Sequence, residues 1–553
     1  MIRLRTFNRS ISQQTRPATH PVSGDARSAE AEPTAVPARS RDRVTRIAGV
    51  VIPVMAILAT IGWMLLLRWF DLREKIEFRY FAFEKVPGQF HSTAIRRTLA
   101  IFIGTSLLYT IAAVLLARVR TMTGPIKLGA LLFMAGPAIV NVLLYPVGAL
   151  DVFNYMVDLK LAYHFDANPY VVTNPAFLNG DPFTGSAFLL NVPLFYGPAW
   201  LLISGLPGIV TGYESVANLL IGLKVLNLLL LAATAVLISR AQPNERRRWI
   251  APFLFLANPL VIFEGIGNAH NDVMMTFFLI AAISAMRSSP KGWLAAPMLA
   301  ISVLVKLFTG VLAPLFLVEA LRTRWPIRRI ALAAVAVAAV TIAVVVPFWD
   351  GGNLWSGMRE GTRLGQRMDH VSPLSLAQQQ AKMDFIEARP FRGYLRPYAS
   401  SDVLPQAQQD ELHRTFTIAF LVLAALVLAA RLKRWISLER ACAVTLILFA
   451  LLMTNLYPWY LIPIIALFAL EREALGSAFV FVATLLGLVY YPAYIWAHFN
   501  TDLPLFQVHL YLAIFLTAPM VAFLLIETVR IAFVANRRRA FSTKPVLAPV
   551  TTE

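Results

Sequence analysis

Long apolar runs alternate with short polar segments along nearly all of the 553-residue chain. Many of these runs hold few charges and are about as long as the 20 or so residues that an α-helix needs to cross the hydrocarbon core of a bilayer. The pattern predicts an all-α polytopic membrane protein with about fourteen transmembrane or partly spanning helices. The expected helices lie near 47–68, 98–118, 127–149, 216–239, 249–266, 272–286, 292–305, 308–321, 327–348, 414–431, 440–455, 459–470, 474–496 and 507–530.

Several of the apolar runs are too short to cross a bilayer alone. The runs 292–305 and 308–321 are typical of a hairpin that reaches part-way through the membrane, with its polar turn inside the protein. We expect the apolar segment 195–212 to form a re-entrant or interfacial helix, because a full span would reverse the sidedness of every later loop. Residues 68–97, which mix basic and acidic side chains, are predicted to be an amphipathic interfacial segment.

The basic residues are concentrated in short clusters between the apolar runs. These clusters fall in alternate loops, on one side of the predicted bundle, and an excess of Lys and Arg is typical of cytoplasmic loops. The net charge of +19 therefore indicates topology, and we expect no nucleic-acid partner. With an even helix count, both termini are predicted to lie on the cytoplasmic side of the cytoplasmic (inner) membrane. The clusters are Arg118 to Lys127, Arg240 to Arg248, Arg287 to Lys291, Arg322 to Arg329, Arg431 to Arg440 and Arg530 to Arg539.

Hydrophobic residues make up 58% of the chain, and their distribution divides it into three parts. Residues 1–46 are rich in Arg, Ser, Thr, Pro, Ala and Glu, so we predict a disordered cytoplasmic tail and no cleaved signal peptide. Residues 47–530 form the predicted transmembrane domain, with long extracytoplasmic loops at about 150–215 and 349–413. Residues 531–553 form a basic cytoplasmic tail.

The first long outer loop begins near YPVGALDVFNYMVDLKLAYHFDANPY, residues 145–170. Asp151 directly follows the third predicted helix, and Tyr155 lies one turn further on if this segment is helical. The NPY sequence at 168–170 predicts a turn. A carboxylate at this depth is costly to bury, so Asp151 is either a functional group or a solvated carboxylate at the end of a helix.

A second group of polar residues occurs in GNAHNDVMM, residues 267–275, between two apolar runs. Asn271 or Asp272 is suited to cap the helix that follows. Capping explains one residue and leaves His270 and Asn268 in the same short turn. A lone histidine is more often structural than functional, so composition alone does not decide between the two interpretations.

Lys306 lies between two short apolar runs. At that depth its ammonium group either snorkels to the membrane interface or needs an anionic partner or a watery cavity. The segment TNLYPWYLIP, residues 454–463, is by itself typical of a proline break flanked by interfacial aromatic residues.

These motifs form a pattern that extends over most of residues 127–496. It consists of Asp151 with Tyr155, NPY at 168–170, YGP at 196–198, NPLVIFEGIGNAHNDVMM at 258–275, Lys306, PFW at 347–349 and YPWY at 457–460. The pattern resembles the membrane glycosyltransferases of the GT-C superfamily. Within that superfamily the chain is most similar to bacterial polyprenol-phosphate-mannose-dependent α-mannosyltransferases, which build α-mannans and lipoglycans. One departure is that two predicted helices precede the helix leading to Asp151, where many members of the superfamily have one.

The resemblance implies an inverting glycosyltransferase that moves a sugar, mannose in the members it resembles most, from a polyprenyl-phosphate donor to a hydroxyl group of a glycan or glycolipid on the outer face of the membrane. Asp151 is then the catalytic base. The candidates for binding the donor phosphate are His270, Lys306, Arg363 and Arg367. The candidate substrate-binding residues are Tyr155, Asn168, Tyr170, Tyr196, Asn268, Asn271, Asp272, Trp459 and Tyr460.

The expected partners are the donor, the acceptor and membrane lipids, and no cofactor is expected. A divalent metal is compatible with this chemistry but not required, because protein cations can stabilise a lipid-phosphate leaving group. Cys442 is the only cysteine, which excludes a cysteine-based metal cluster. Two alternatives stay open. One is a transporter or flippase of a polyprenyl-linked lipid, for which internal symmetry would be expected but is not found in the sequence. The other is a GT-C enzyme that uses arabinose, glucose or galactose.

Overall fold

The computed structural model of the protein describes residues 38–73, 92–149, 151–173, 180–185, 187, 189–288, 291–366, 372–387, 406–453, 456–471, 473–500, 503 and 505–542. Within these residues the secondary structure is helical, and an isolated β-bridge pairs Asp71 with Leu144. The α-helices are α1 (Ala38–Trp69), α2 (Ser92–Arg118), α3 (Gly124–Leu143), α4 (Asp151–Tyr163), α5 (Pro198–Ser204), α6 (Leu206–Thr211), α7 (Val216–Arg240), α8 (Glu245–Leu256), α9 (Pro259–Ile262), α10 (Asp272–Arg287), α11 (Ala295–Val305), α12 (Ala313–Arg322), α13 (Ile327–Val345), α14 (Asn353–Gln366), α15 (Pro373–Glu387), α16 (Gln406–Leu432), α17 (Leu438–Met453), α18 (Leu461–Glu471), α19 (Ala474–Asn500) and α20 (Leu505–Ser542).

Eight of the described helices are long and apolar enough to cross a bilayer. They are α1, α2, α3, α7, α13, α16, α19 and α20. α8 and α9, together with the π-helical turn Phe263–Gly267, form a further candidate span that bends by 52°. Shorter helices occupy the other predicted positions. The structure therefore confirms the prediction of an all-helical polytopic membrane protein.

Proline residues explain why two apolar runs do not form the continuous helices predicted for them. α3 ends at Leu143, before the apolar run does, because Pro146 disfavours helical backbone at the residue that precedes it. The next break is at Pro259, where Asn258 has extended backbone and separates α8 from α9. The Asn258 side chain accepts hydrogen bonds from the backbone N–H groups two and three residues further on, so it caps the new helix.

The hairpin predicted between 292 and 321 is present. Lys306 has extended backbone (φ −154°, ψ 124°) and separates α11 from the short 3-10 helix that leads into α12. The two ends of the hairpin meet, since Gly292 packs against Trp325. Lys306 therefore lies at the turn of the hairpin. The segment 195–212 also forms short helices, α5 and α6, and neither is long enough to cross a bilayer alone.

The terminal and loop predictions are only partly covered by the described residues. α1 begins at Ala38 and α20 continues to Ser542, so both terminal helices are longer than the apolar runs predicted. Residues 1–37 and 543–553 of the predicted tails lie outside the described residues, as does most of the predicted interfacial segment 68–97. The two long predicted loops contain the helices α4, α14 and α15, which are too polar to be found from apolar runs.

Contacts between polar side chains join the predicted basic loops at one end of the bundle, which we call the basic end. The contacts are Lys127 with Glu245, Gln242 with the Leu470 carbonyl, Arg287 with Glu439, Arg431 with Glu319 and Arg440 with Glu527. α20 reaches this end near Arg530, which pairs with Glu527. α1 starts there, because its other terminus lies beside the loop after α3, where the Phe70 carbonyl accepts a hydrogen bond from the Tyr145 N–H. The opposite end of the bundle, which we call the site end, contains the turns that follow α3, α9 and α11.

Candidate active site

Asp151 is the first residue of α4 and lines a pocket at the site end. Its side chain is half-buried, and a carboxylate in the first turn is favoured by the partial positive charge of a helix N-terminus. The same pocket is lined by Tyr155, Asp158 and Tyr196 and by apolar side chains from residues 189–195. α4 confirms that Tyr155 lies one turn beyond Asp151 on a helix. The pocket thus presents a carboxylate beside tyrosines.

Charged groups from two other turns, one containing Asp272 and the other Lys306, lie near Asp151. Burial raises the pKa of its carboxyl group above the ordinary value, the positive charge of Lys306 opposes this rise, and the Asp272 carboxylate adds to it. These residues are far apart in the sequence, and the structure brings them close enough for each to influence the protonation of Asp151. A carboxylate with a raised pKa in a pocket is suited to accept a proton from a substrate.

Lys306 and Asp272 form an ion pair. The Lys306 ammonium donates to the Asp272 carboxylate at 2.8 Å, and Asp272 is fully buried. The same ammonium lies 4.7 Å from the centre of the Tyr460 ring and 5.9 Å from that of Tyr196, distances typical of cation–π contacts. The second Asp272 oxygen, Oδ1, is buried without a hydrogen-bond partner among the described residues. Lys306 thus has an anionic partner, which is one of the alternatives that the sequence left open.

His270 is almost completely buried beneath an aromatic stack. Its ring lies parallel to Trp459 with 4.0 Å between ring centres, and Trp459 stacks in turn on Tyr457 at 4.2 Å. The Nε2 atom is 3.4 Å from a carboxylate oxygen of Glu264. Burial lowers the pKa of His270 to about 4, so the imidazole is neutral near pH 7. At that pH Lys306 is the cation facing Asp151, and His270 can contribute only neutral hydrogen bonds.

The turn from 267 to 272 is closed by polar contacts. Ala269 has left-handed backbone (φ 57°), which is uncommon for a residue with a side chain. The Asn268 amide donates to Glu264 at 2.9 Å and its carbonyl oxygen accepts from the Gly148 N–H at 3.1 Å, so this turn is joined to the loop that leads to Asp151. Asn271 precedes α10 but its side chain makes no capping hydrogen bond, and both of its polar atoms are buried without a partner among the described residues. The capping interpretation of Asn271 is therefore wrong.

The NPY motif connects the first long loop to the PFW segment. Asn168 donates to the Phe348 carbonyl at 3.0 Å, and its carbonyl oxygen accepts from the Tyr170 N–H at 3.1 Å. The Tyr170 hydroxyl donates to the Tyr196 carbonyl at 2.9 Å. Asn168 and Tyr170 thus have protein partners that hold the first loop against the PFW segment. Their predicted contact with substrate stays a prediction.

The YGP motif places Tyr196 beside Lys306. The Gly197 N–H donates to the Val305 carbonyl at 3.0 Å, next to Lys306 in the chain. A Cβ atom at this position would lie 1.8 Å from the Leu304 carbonyl oxygen, so only glycine allows this approach. The Tyr196 hydroxyl is then 3.4 Å from that of Tyr155, and the two rings meet edge to face.

Two predicted phosphate-binding residues, Arg363 and Arg367, belong to the second long predicted loop. Arg363 lies on α14, but its side chain is not among the described ones, and Arg367 lies outside the described residues. In the part of the chain that the structure describes, no three His, Cys, Asp or Glu side chains form a group that could hold a metal ion. The expectation that no cofactor is needed remains a prediction.

Several buried polar residues that contact the turn around His270 were not predicted from the sequence. Lys224 and Asn227 on α7 are buried, and both donate to backbone carbonyls of the turn around His270 or its neighbours. Glu264, in the π-helical turn, is fully buried and contacts Asn268 and His270. The signal was available, because an ionisable residue within an apolar helix of bilayer length is costly and usually has a specific partner.

Comparison with protein families agrees with the geometry. The model of the alpha-(1->6)-mannopyranosyltransferase N-terminal domain matches residues 46–323, just over half of the chain, and that of glycosyltransferase family 87 matches residues 194–455. No curated protein and no solved structure gave a match. The first match includes Asp151, His270 and Lys306, and the second includes the last two of these. The resemblance to GT-C mannosyltransferases is thereby confirmed, and the chain is a membrane glycosyltransferase that belongs to the alpha-(1->6)-mannopyranosyltransferase family.

Proposed function

We propose that this protein transfers a sugar, mannose, with inversion from a polyprenyl-phosphate carrier to a hydroxyl group of a glycan or glycolipid on the outer face of the cytoplasmic membrane. The observation that supports this most strongly is the proximity of a carboxylate with a raised pKa, Asp151, to the Lys306–Asp272 ion pair. Such a site combines a proton acceptor with a cation for a phosphate leaving group.

Asp151 is the base in this reaction. It accepts the proton of the acceptor hydroxyl group while the acceptor oxygen forms a bond to the anomeric carbon of the sugar. The bond from that carbon to the phosphate oxygen breaks, and its electron pair leaves with the polyprenyl phosphate. A raised pKa makes the Asp151 carboxylate a better proton acceptor than an exposed aspartate, provided that it is ionised before the reaction.

Lys306 meets the negative charge that grows on the leaving phosphate. The group changes from a phosphodiester to a phosphomonoester, so a fixed cation nearby lowers the free energy of the transition state. Asp272 and the Tyr460 ring hold the ammonium in place before the donor arrives. The buried Asn271 amide and the neutral imidazole of His270 are further hydrogen-bonding groups in the same region.

The depth of the ion pair suits a donor with a lipid tail. α10 has 16 residues and begins at Asp272, while its other terminus, Arg287, contacts the basic end. At about 1.5 Å per residue this helix is about 24 Å long, shorter than the hydrocarbon core of about 30 Å. Asp272 and Lys306 therefore lie within the depth of the membrane, in which the lipid tail of such a donor is anchored.

The side of the membrane follows from the charge distribution. The basic loops share one end of the bundle, and loops rich in Lys and Arg stay in the cytoplasm. The site end, at the opposite ends of α3, α9 and α11, then faces outside. Both termini belong to the cytoplasmic side in this arrangement, because α1 starts and α20 finishes at the basic end.

The test is a transfer assay with purified protein in detergent. Radiolabelled polyprenyl-phosphate mannose, arabinose, glucose and galactose are supplied one at a time with candidate glycan and glycolipid acceptors, and the Asp151→Asn variant serves as the control. We expect transfer of mannose that depends on Asp151. Transfer of another sugar would correct the donor, and the absence of transfer from all four donors would overturn the proposal.

A further inference from the structure

Lys224 is a completely buried lysine in the middle of α7. Its ammonium donates to three backbone carbonyls, those of Asn141 at 3.3 Å, Leu144, and Gly267 at 2.6 Å. Three such bonds use all three N–H groups of an ammonium. Among the described residues Lys224 has no ion pair with a carboxylate, so these carbonyls are its partners in an apolar environment.

The three carbonyls belong to the ends of two helices. Asn141 and Leu144 are at the end of α3, and Gly267 ends the π-helical turn after α9. The last carbonyls of a helix have no partner within it and carry partial negative charge, so a cation placed there is favoured. One ammonium thus caps two helix C-termini at the same point.

Asn227 extends this contact by one turn of α7. Its side-chain amide donates to the Gly265 carbonyl at 2.8 Å and to the His270 carbonyl at 3.0 Å. Lys224 and Asn227 are three residues apart and therefore lie on the same face of the helix. This face holds both the end of the π-helical turn and the first part of the turn that contains His270.

The two capped segments lead directly to the site. The chain that leaves α3 at Leu144 reaches Asp151 at the start of α4, and the chain that leaves Gly267 reaches Asp272 through His270. The two segments also contact each other, because the Gly148 N–H donates to the Asn268 side chain. Packing of α7 alone would not require a lysine, since an apolar side chain at position 224 would avoid the cost of burying a charge.

We propose that Lys224, supported by Asn227, is a positioning residue for sugar transfer, which sets the distance between Asp151 and the Lys306–Asp272 pair through the backbone of the two segments. This inference rests on the proposed function of Asp151 as the base. Lys224 touches neither the donor nor the acceptor, and it acts only through the residues whose backbone it holds.

The first experiment is a double-mutant cycle between Lys224 and Asp151. Lys224→Met should lower kcat by about 30-fold, because small displacements of a base are costly, and should change the KM for the donor by less than about threefold. In the Asp151→Asn background the same substitution should lower kcat by less than about fivefold, because no base remains to be positioned. An equal loss in both backgrounds indicates a merely structural role and overturns the inference.

The second experiment does not depend on activity. Hydrogen–deuterium exchange of Lys224→Met should increase in peptides covering 144–149 and 265–271, and should stay unchanged in the peptide covering α8. The matched control is Lys127→Met, which removes a lysine contact at the other end of α3 and should leave exchange and kcat as in the wild type. Asn227→Leu is the second variant, and should increase exchange in 265–271 alone.

The outcomes separate this inference from the proposed function. Unchanged exchange in both segments of Lys224→Met overturns the inference, whether or not transfer is observed. If the wild-type protein transfers no sugar and Lys224→Met nevertheless shows the expected increase in exchange, the proposed function is overturned. The contact of Lys224 with the two segments then stands. If Lys224→Met cannot be purified as a folded protein, Asn227→Leu decides, and wild-type exchange together with wild-type kcat in that variant overturns the inference.

Discussion

Lys306 has three N–H groups, and Asp272 accepts a hydrogen bond from one of them. In the described part of the chain no other acceptor takes a hydrogen bond from this ammonium, so two N–H groups can bind the oxygens of a donor phosphate. The Tyr460 ring lies against the same ammonium. A lysine that is held in this way loses little conformational freedom when the donor binds, which favours a stronger interaction in the transition state.

Substitution of the ion pair separates its effect on stability from its effect on transfer. Lys306→Met should abolish most transfer and lower the free energy of unfolding by about 3–5 kcal/mol, because it leaves the buried Asp272 carboxylate without a cation. The double variant Lys306→Met/Asp272→Asn should regain most of the stability, since no unpaired charge remains, but none of the transfer. Melting temperature and turnover of the two variants test this, and an active double variant would show that another group stabilises the phosphate.

We expect that asparagine cannot replace Asp151 in catalysis. Asp151→Asn keeps the shape of the side chain and removes the proton acceptor, so kcat should fall at least about a hundredfold in a folded, membrane-inserted protein. Asp158 lines the same pocket two turns further along α4, and Asp158→Asn is the matched control, with an expected loss below about tenfold. The radiolabel assay measures both, and the reverse ranking would assign the base to Asp158.

The pH dependence of transfer gives a signed test of the same assignment. A base must be ionised to act, so kcat/KM should fall as the pH drops through the pKa of Asp151, and burial puts this acid limb above the range of an ordinary aspartate. The positive charge of Lys306 lowers this pKa and the Asp272 carboxylate raises it. The acid limb should therefore move to higher pH in Lys306→Met and to lower pH in Asp272→Asn, each profile being normalised to its own maximum. Shifts in the opposite directions would contradict the assignment.

At the scale of helices, the apolar runs predicted most elements but missed the breaks that prolines cause. α7 and α10 agree closely with the runs 216–239 and 272–286, because hydrophobic length alone decides where such helices lie. The ends of α3 and α8 depend on a single proline each, whose local effect competes with the apolar pattern. α4 is short and partly polar, so its helical state follows from tertiary packing and could only be assumed from the sequence.

The contacts between elements were harder to predict than the elements themselves. The sequence left an anionic partner, a watery cavity or the membrane interface open for the Lys306 ammonium, and it did not identify a partner; the structure pairs it with Asp272. Lys224 was overlooked because one charge leaves the mean hydropathy of a long apolar run high. Its partners are backbone carbonyls, which every residue has, so no sequence pattern marks them.

Gly197 tests how the packing of two elements fixes the site. The Cβ of Gly197→Ala would collide with the Leu304 carbonyl oxygen, which is backbone and cannot move aside by rotating, so the YGP segment must separate from the end of α11. Tyr196 and Lys306 would move apart, and kcat should fall at least about tenfold. Gly104→Ala in α2 is the control, because nothing lies within 4 Å of its added Cβ, and it should keep wild-type turnover. Equal turnover in the two variants would show that this contact does not fix the site.

At the scale of the whole molecule, the basic clusters and the candidate active site lie at opposite ends of the helix bundle. Polar contacts at the basic end join loops that are hundreds of residues apart, such as Gln242 with the Leu470 carbonyl. The sequence predicted that these basic loops share one side, and the structure confirms that they meet at one end of the bundle. The contacts within the protein do not say which end is cytoplasmic. That expectation comes from the excess of Lys and Arg in cytoplasmic loops.

Cysteine labelling tests this direction against a low background. Cys442 is the only cysteine and is completely buried, so the wild-type protein should react little with a membrane-impermeant maleimide. Val171 is exposed in the segment after α4, and Arg328 is exposed in the first turn of α13, at the basic end. Val171→Cys should be labelled in intact cells, whereas Arg328→Cys should be labelled only after the membrane is permeabilised, because the reagent cannot reach the cytoplasm. Labelling of Arg328→Cys in intact cells, with protection of Val171→Cys, would show that the orientation is the reverse of the one proposed. The site would then lie on the cytoplasmic face, where a donor carried on the outer leaflet could not reach it.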